Sequence, residues 1–188
     1  MEGKENASSS AFIHIQVTVD TDKLLSLYKG RLSQDQNSPT MVNESLIYAV
    51  VSTNAAIQGQ GSSALRFQAI RDDKVRVYGT SEYGNMDNPI LVYKIARLSG
   101  TEILKDFASN KTEKMAVQPC TRTSSDPKEK VLPPVFKNMD FWYYEANVSD
   151  KGDENFTFWF AIYERLRTQA NPVLVGYFKW DPAIHVDF

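Results

Sequence analysis

The run Phe156-Thr157-Phe158-Trp159-Phe160-Ala161-Ile162-Tyr163 constrains this chain more than any other. Strand side chains alternate between faces, so Phe156, Phe158, Phe160 and Ile162 share one side and Trp159 takes the other. A sheet packed on one side only would leave one of these sets in water. The second face therefore needs cover too, from a loop or from a partner subunit. Trp142 and Tyr143, inside the aromatic segment Phe141–Val148, pose the same problem.

Other segments carry the same two-residue period. In Phe12–Val19, residues Ile13, Ile15, Val17 and Val19 fall on one face, with His14, Gln16 and Thr18 opposite. Leu46–Val51 reads as an apolar central strand. Leu65–Ile70 and Val75–Tyr78, joined by a turn at Arg71–Lys74, read as a hairpin. Ile90–Ala96, Val173–Trp180 and Ile184–Phe188 complete the strands. Asp20-Thr21-Asp22 caps a short helical segment, Lys23–Tyr28, which Gly30 ends. From Gly100 to Phe136 the periodicity weakens, and the expectation is irregular loop with one short strand near Met115-Ala116-Val117. Together these predict an all-β fold: an antiparallel β-sandwich, jelly-roll-like, with one short helix after the first strand. Residues 1–10 read as a flexible polar tail and 11–188 as a single domain.

Composition narrows function. With 188 residues the chain can bury a sizeable core. A net charge of -2 argues against a nucleic-acid binder, which would show a basic face. No segment approaches the 18 apolar residues of a membrane-spanning helix. The first ten residues lack the apolar centre of a signal peptide, so the expectation is a cytoplasmic protein, with release possible by a route that needs no classical signal. Asn-x-Ser/Thr occurs at Asn6, Asn43, Asn110, Asn147 and Asn155, which in that setting stay unmodified.

Catalytic signals are sparse. Cys120 is the one cysteine, so no intrachain disulfide forms. His14 and His185 are the two histidines, and neither sits in a nucleophile–base motif or at metal-ligand spacing. Gly59-Gln60-Gly61 lacks the third glycine and the following helix of a phosphate cradle. Asp20, Asp22 and Asp35 read as caps and turns rather than cation ligands. No enzyme activity, cofactor or metal is expected. Calcium at Asn85, Asp87, Asn88 and Asp181 is possible but not favoured over turn-making by these residues.

The aromatic excess points to binding. A flat ring beside Asp and Asn side chains holds a sugar by its apolar face and its hydroxyls. Trp180 as the platform, with Asn85, Asp87 and Asp181 as hydroxyl partners, forms the candidate carbohydrate site, placed on loops at one end of the sandwich. The two-faced aromatic strands argue in parallel for a homo-oligomer, a symmetric dimer in the first instance.

Several short motifs recur in an order that resembles the AidA/PixA family of bacterial inclusion-body proteins. They are Val19-Asp20-Thr21 with Leu24-Leu25, Pro39-Thr40, Ile47-Tyr48 and Gly59-Gln60-Gly61 with Leu65 and Phe67. Asn85-x-Asp87 with Leu91 and Tyr93 follows, and the series closes on Gly176-Tyr177-Phe178-x-Trp180-Asp181-Pro182. The resemblance spans Ile15 to Val186. It implies a bacterial β-sandwich without a signal peptide, often under cell-density control, some members of which accumulate as cytoplasmic inclusions. Lectin-like sugar binding is a further implication. The chain has five methionines, unlike the methionine-rich inclusion members. A dedicated glycan-binding lectin is the alternative reading, and a small enzyme of unrecognised class the remotest.

Overall fold

The computed structural model describes residues 11–52, 54–119 and 133–188. The expected tail (1–10) and Cys120 lie outside the described residues. The elements are β1 (Phe12–Val19), α1 (Thr21–Leu27), β2 (Thr40–Met41), β3 (Ile47–Val51), β4 (Ala56–Gln58), β5 (Ala64–Gln68), β6 (Lys74–Ser81) and β7 (Ile90–Gly100). The second half adds β8 (Leu104–Gln118), β9 (Val135–Val148), β10 (Gly152–Glu164), β11 (Val173–Trp180) and β12 (Ala183–Asp187).

Two sheets face each other. The first runs β3-β1-β6-β9-β8. The second is organised by β10, with β7 along one side. On its other side β10 pairs β11 through its C-terminal half and β12 through its N-terminal half, with β2 beyond β11 and β5 and β4 beyond β12. Ile13, Ile15, Val17 and Val19 of β1 and Phe156, Phe158, Phe160 and Ile162 of β10 form the centre of the core. Each such side chain, fully buried, stabilises the fold by roughly 1.5–3 kcal/mol.

The helix forms where its caps demand it. Asp20 accepts the Lys23 N–H at 2.9 Å, and Glu82, in the turn just after β6, accepts hydrogen bonds from the backbone of Thr21 and Asp22. The free N–H groups of the first turn are thereby satisfied.

Four local expectations are corrected. First, the sandwich is mixed: β1 pairs β6, β2 pairs β11 and β5 pairs β12 in parallel. The chain between β1 and β6 is long enough to return over the sheet, which a parallel pair requires. Second, β5 and β6 are not a hairpin but belong to opposite sheets. The corner between them is set by Asp73, whose carboxylate accepts the N–H groups of Ala11 and Ile70 at 2.7 and 2.9 Å. Third, β3 is an edge strand, so Tyr48 and Val50 alternate outward. Its edge is closed by the Gln60 side chain, which both donates to and accepts from the Val51 backbone. Gly59 enables this turn: at φ 80°, an added Cβ would meet the Ala64 carbonyl oxygen at 1.9 Å. Fourth, within the region read as irregular, of which 120–132 lie outside the described residues, Leu104–Gln118 is one long strand, and its pairing with β9 is the longest among those described. Its outer part is solvated on both faces, so no alternation marks it in the sequence.

Candidate functional site

Among the described residues no second layer covers the face of the five-stranded sheet turned away from the core, and that face carries a cluster of aromatic and charged side chains. β1 and β6 place His14 beside Arg76 and Gln16 beside Tyr78. β9 sets Glu145 against Arg76 and brings Tyr143 next to Tyr78. The strand period dictates this grouping, since Phe12, His14 and Gln16 are the residues that the inward Ile13, Ile15 and Val17 leave outside.

Contacts in the cluster are tight. The Arg76 guanidinium lies 3.9 Å from the Phe12 ring centroid and 4.6 Å from that of Tyr143, a cation held between two π faces. Glu145 accepts hydrogen bonds from Arg76 at 2.8 Å and Lys74 at 2.9 Å. Burial works against its charge, but those hydrogen bonds prevail and hold the carboxyl below its usual range. His14 Nδ1 is 2.7 Å from the Tyr78 hydroxyl, and the two rings stack. Burial first, and the nearby Arg76 charge second, lower the His14 pKa, so the ring stays neutral near pH 7. Each charged group here is committed to a neighbour. The cluster presents an aromatic surface whose charged groups are already paired, chemistry suited to docking.

A second cluster lies on the other sheet. His185 is held between Asp153 at 2.6 Å and Asp187 at 3.1 Å, and Arg66 binds Asp187 through two nitrogens at 2.6 and 3.0 Å. Hydrogen bonding to Asp153 raises the His185 pKa, while Arg66 lowers that of Asp187 to about 2. Both imidazole nitrogens face carboxylates, so neither is free to take a proton from a nucleophile.

The residues of the proposed sugar site fall apart by location. Trp180 is 1% exposed and packs edge-on to Phe158. Its ring has no open face, so the stacking platform is a core residue. It lines a cavity of about 30 Å³ between the sheets, with Ile15, Phe107 and Phe158. That volume suits a water or two, not a sugar ring. Asn85, at φ 62°, spends its side-chain oxygen on the N–H groups of Ser81 and Ile90 and so builds the β6–β7 turn. Asp87 is exposed in the same turn, and its carbonyl accepts from Ser81. Asp181 follows β11 beside Met41, Val42 and Asn43. Among the described residues no hydrogen bond joins Asp181 to Asn85 or Asp87, and no three His, Cys, Asp or Glu side chains gather to hold a metal ion.

Trp159 has the cover its strand required. Tyr93 meets its ring edge-on, Lys94 Nζ stands 4.1 Å from the ring centroid, and Tyr93 is tied to the Gln36 carbonyl in the loop before β2. Among the described residues Trp142 has none beyond Lys111 Nζ at 5.7 Å from its ring centroid, and it is 65% exposed. Sequence reasoning missed the outward cluster around Arg76. The signal was present: Arg76 and Tyr78 alternate with the inward Val75 and Val77 as His14 does with Ile13 and Ile15.

Comparison with known proteins agrees with this architecture. The family model for PixA, described as an inclusion body protein, matches residues 11–186. A crystal structure of an inclusion body protein of that family from Burkholderia cenocepacia J2315 superposes with a TM-score of 0.76 at 22% identity, over 97% of this chain and 99% of that one. No curated protein matches the chain.

Proposed function

The chain belongs to the PixA family of inclusion body proteins, and from that premise we propose that it works by self-association rather than by catalysis. The observation that carries this reading is the uncovered outer face of the five-stranded sheet. Phe12, Tyr48, Val50, Met139 and Phe141 are exposed on it around the hydrogen-bonded Arg76–Glu145 pair. A monomer leaves this apolar area in water, whereas a second copy covers it. Cytoplasmic inclusions formed by packing of such faces are the expected state in the cell. Among the described residues no helix is long and apolar enough to cross a membrane. The test is light scattering across micromolar concentrations, with Phe12→Ser and Val50→Ser as variants. Dimers or larger species that shrink in the variants support the reading, and a strict monomer contradicts it.

A lectin-like role is the second reading. Its support is the row Gln16–Tyr78–Tyr143–Asn110 across four strands of the same face, which sets aromatic rings between amide side chains. A glycan array, run with and without calcium, tests it. Signals abolished by Tyr78→Ala would place the sugar on this face, whereas signals lost with Asp87→Ala alone would return it to the β6–β7 turn.

A further inference from the structure

We propose that two copies of this chain join edge to edge through β8, antiparallel about a two-fold axis at Thr112, so that the five-stranded sheets of both run on as one. The proposal rests on the self-association reading and names the surface that begins it.

β8 is the outermost strand of its sheet, and among the described residues no strand pairs with one side of its 15-residue backbone. Such an edge is a template for another strand. Beyond Tyr144, β6 no longer pairs β9, and the sheet narrows to the two-stranded ribbon of β8 and β9. A two-stranded ribbon is marginally stable alone in water. This one nevertheless exposes Met115 (63%), Val117 (70%), Phe136 (61%) and Trp142 (65%). The register places all four on one face with Tyr144, which packs against the core. The inner face of the sandwich thus overhangs its own molecule, and nothing within the chain covers it among the described residues.

The sequence of β8 selects the partner. A two-fold axis normal to the sheet opposes residues of the same face, so the axis passes through a residue rather than between two. Centred on Lys111 or Lys114 the pairing sets lysine against lysine, and centred on Glu113 it sets glutamate against glutamate. Centred on Thr112 it opposes Lys111 and Glu113 twice, Asn110 and Lys114 twice, and Ala108 and Ala116 twice. Like charges directly opposed are destabilising and unlike ones stabilising. Both charged groups are already steadied on their own ribbon: Lys111 by Asp140 at 3.1 Å, Glu113 by the Asn138 amide at 2.8 Å. Edge lysines normally repel stray strands. Here they do so against other sequences, while Glu113 supplies the opposite charge that this register sets against Lys111. The same register sets Val117 opposite Phe107, whose ring packs on Phe156 of the facing sheet. The apolar overhang of each copy then lies beside the covered base of the other.

Cysteine crosslinking reads the register. Opposed residues in an antiparallel pair sit within disulfide reach. In a Cys120→Ser background, Thr112→Cys is oxidised at micromolar protein beside Asn37→Cys, an exposed loop control. Within a dimer the second thiol is present at millimolar effective concentration or above, so crosslinking at position 112 should run about a hundredfold faster than at 37. Ala108→Cys and Ala116→Cys should stay monomeric on denaturing gels singly and crosslink when combined, which also serves if Thr112→Cys folds poorly. Slow crosslinking at 112 and in the double variant, in a protein that light scattering shows to be dimeric, overturns this interface and leaves self-association standing. A strict monomer by light scattering overturns both.

Discussion

Glu154, at the start of β10, holds the root of β8: its Oε2 accepts the N–H of Ile103 at 2.9 Å and of Leu104 at 3.0 Å. The carboxylate has no solvent-exposed side-chain surface, and its other oxygen lies 3.1 Å from Arg97 Nε. Burial, the largest influence, raises its pKa, against the opposing pull of Leu104, Ile103 and Arg97. One buried acid thus ties the second sheet to the strand that leaves the sandwich.

Removing that acceptor should be costly. Glu154→Ala leaves two backbone N–H groups unpaired in the interior, a loss of about 3 kcal/mol or more. Glu154→Gln keeps an acceptor oxygen and removes a charge that burial disfavours, so its loss should be near 1 kcal/mol. Urea unfolding of the pair checks the difference. Equal losses would mean that the ion pair, not the acceptor, matters.

Trp180 should behave as core. Trp180→Ala opens a cavity and destabilises by roughly 3–5 kcal/mol. Trp180→Phe keeps most of the packing, and because the indole nitrogen is buried without a hydrogen-bond partner among the described residues, it loses no hydrogen bond. About 1–2 kcal/mol is expected. Thermal unfolding distinguishes this from a surface platform, for which both changes would leave the melting temperature nearly unmoved.

The His185 cluster should shape stability against pH at two ends. The His185 pKa is raised from 6.5, so its contribution is full below that value and is lost as pH rises through the folded pKa. Asp187 falls from 3.8 to about 2, so its contribution is full above the first value and is lost as pH drops through the second. Melting temperatures from pH 2 to 9 should therefore fall at both ends. His185→Gln should flatten chiefly the alkaline limb, and Asp187→Asn chiefly the acid one. NMR titration of His185 reads the first shift directly, and a pKa at or below 6.5 would refute it.

The sandwich itself was readable because its strands are half-buried. The four inward residues of β1 and of β10 declare their faces through the two-residue period. The Asp20 cap was readable for the same local reason. Strand partners were not, since parallel pairing of β1 with β6 depends on contacts distant in sequence. The outer parts of β8 and β9 were misread because solvent on both sides removes the pattern. The motifs behind the family resemblance prove to be builders of the fold: Gln60 closes the β3 edge, Thr21 bonds Glu82, and Phe178 and Trp180 fill the core. That explains why the resemblance located the architecture while the sugar site drawn from the same motifs dispersed.

Self-association of the exposed sheet is the central claim, and sedimentation velocity of the whole chain across micromolar concentrations addresses it most directly. The account predicts a dimer or larger species that dissociates on dilution. A single monomeric boundary at every concentration would contradict it.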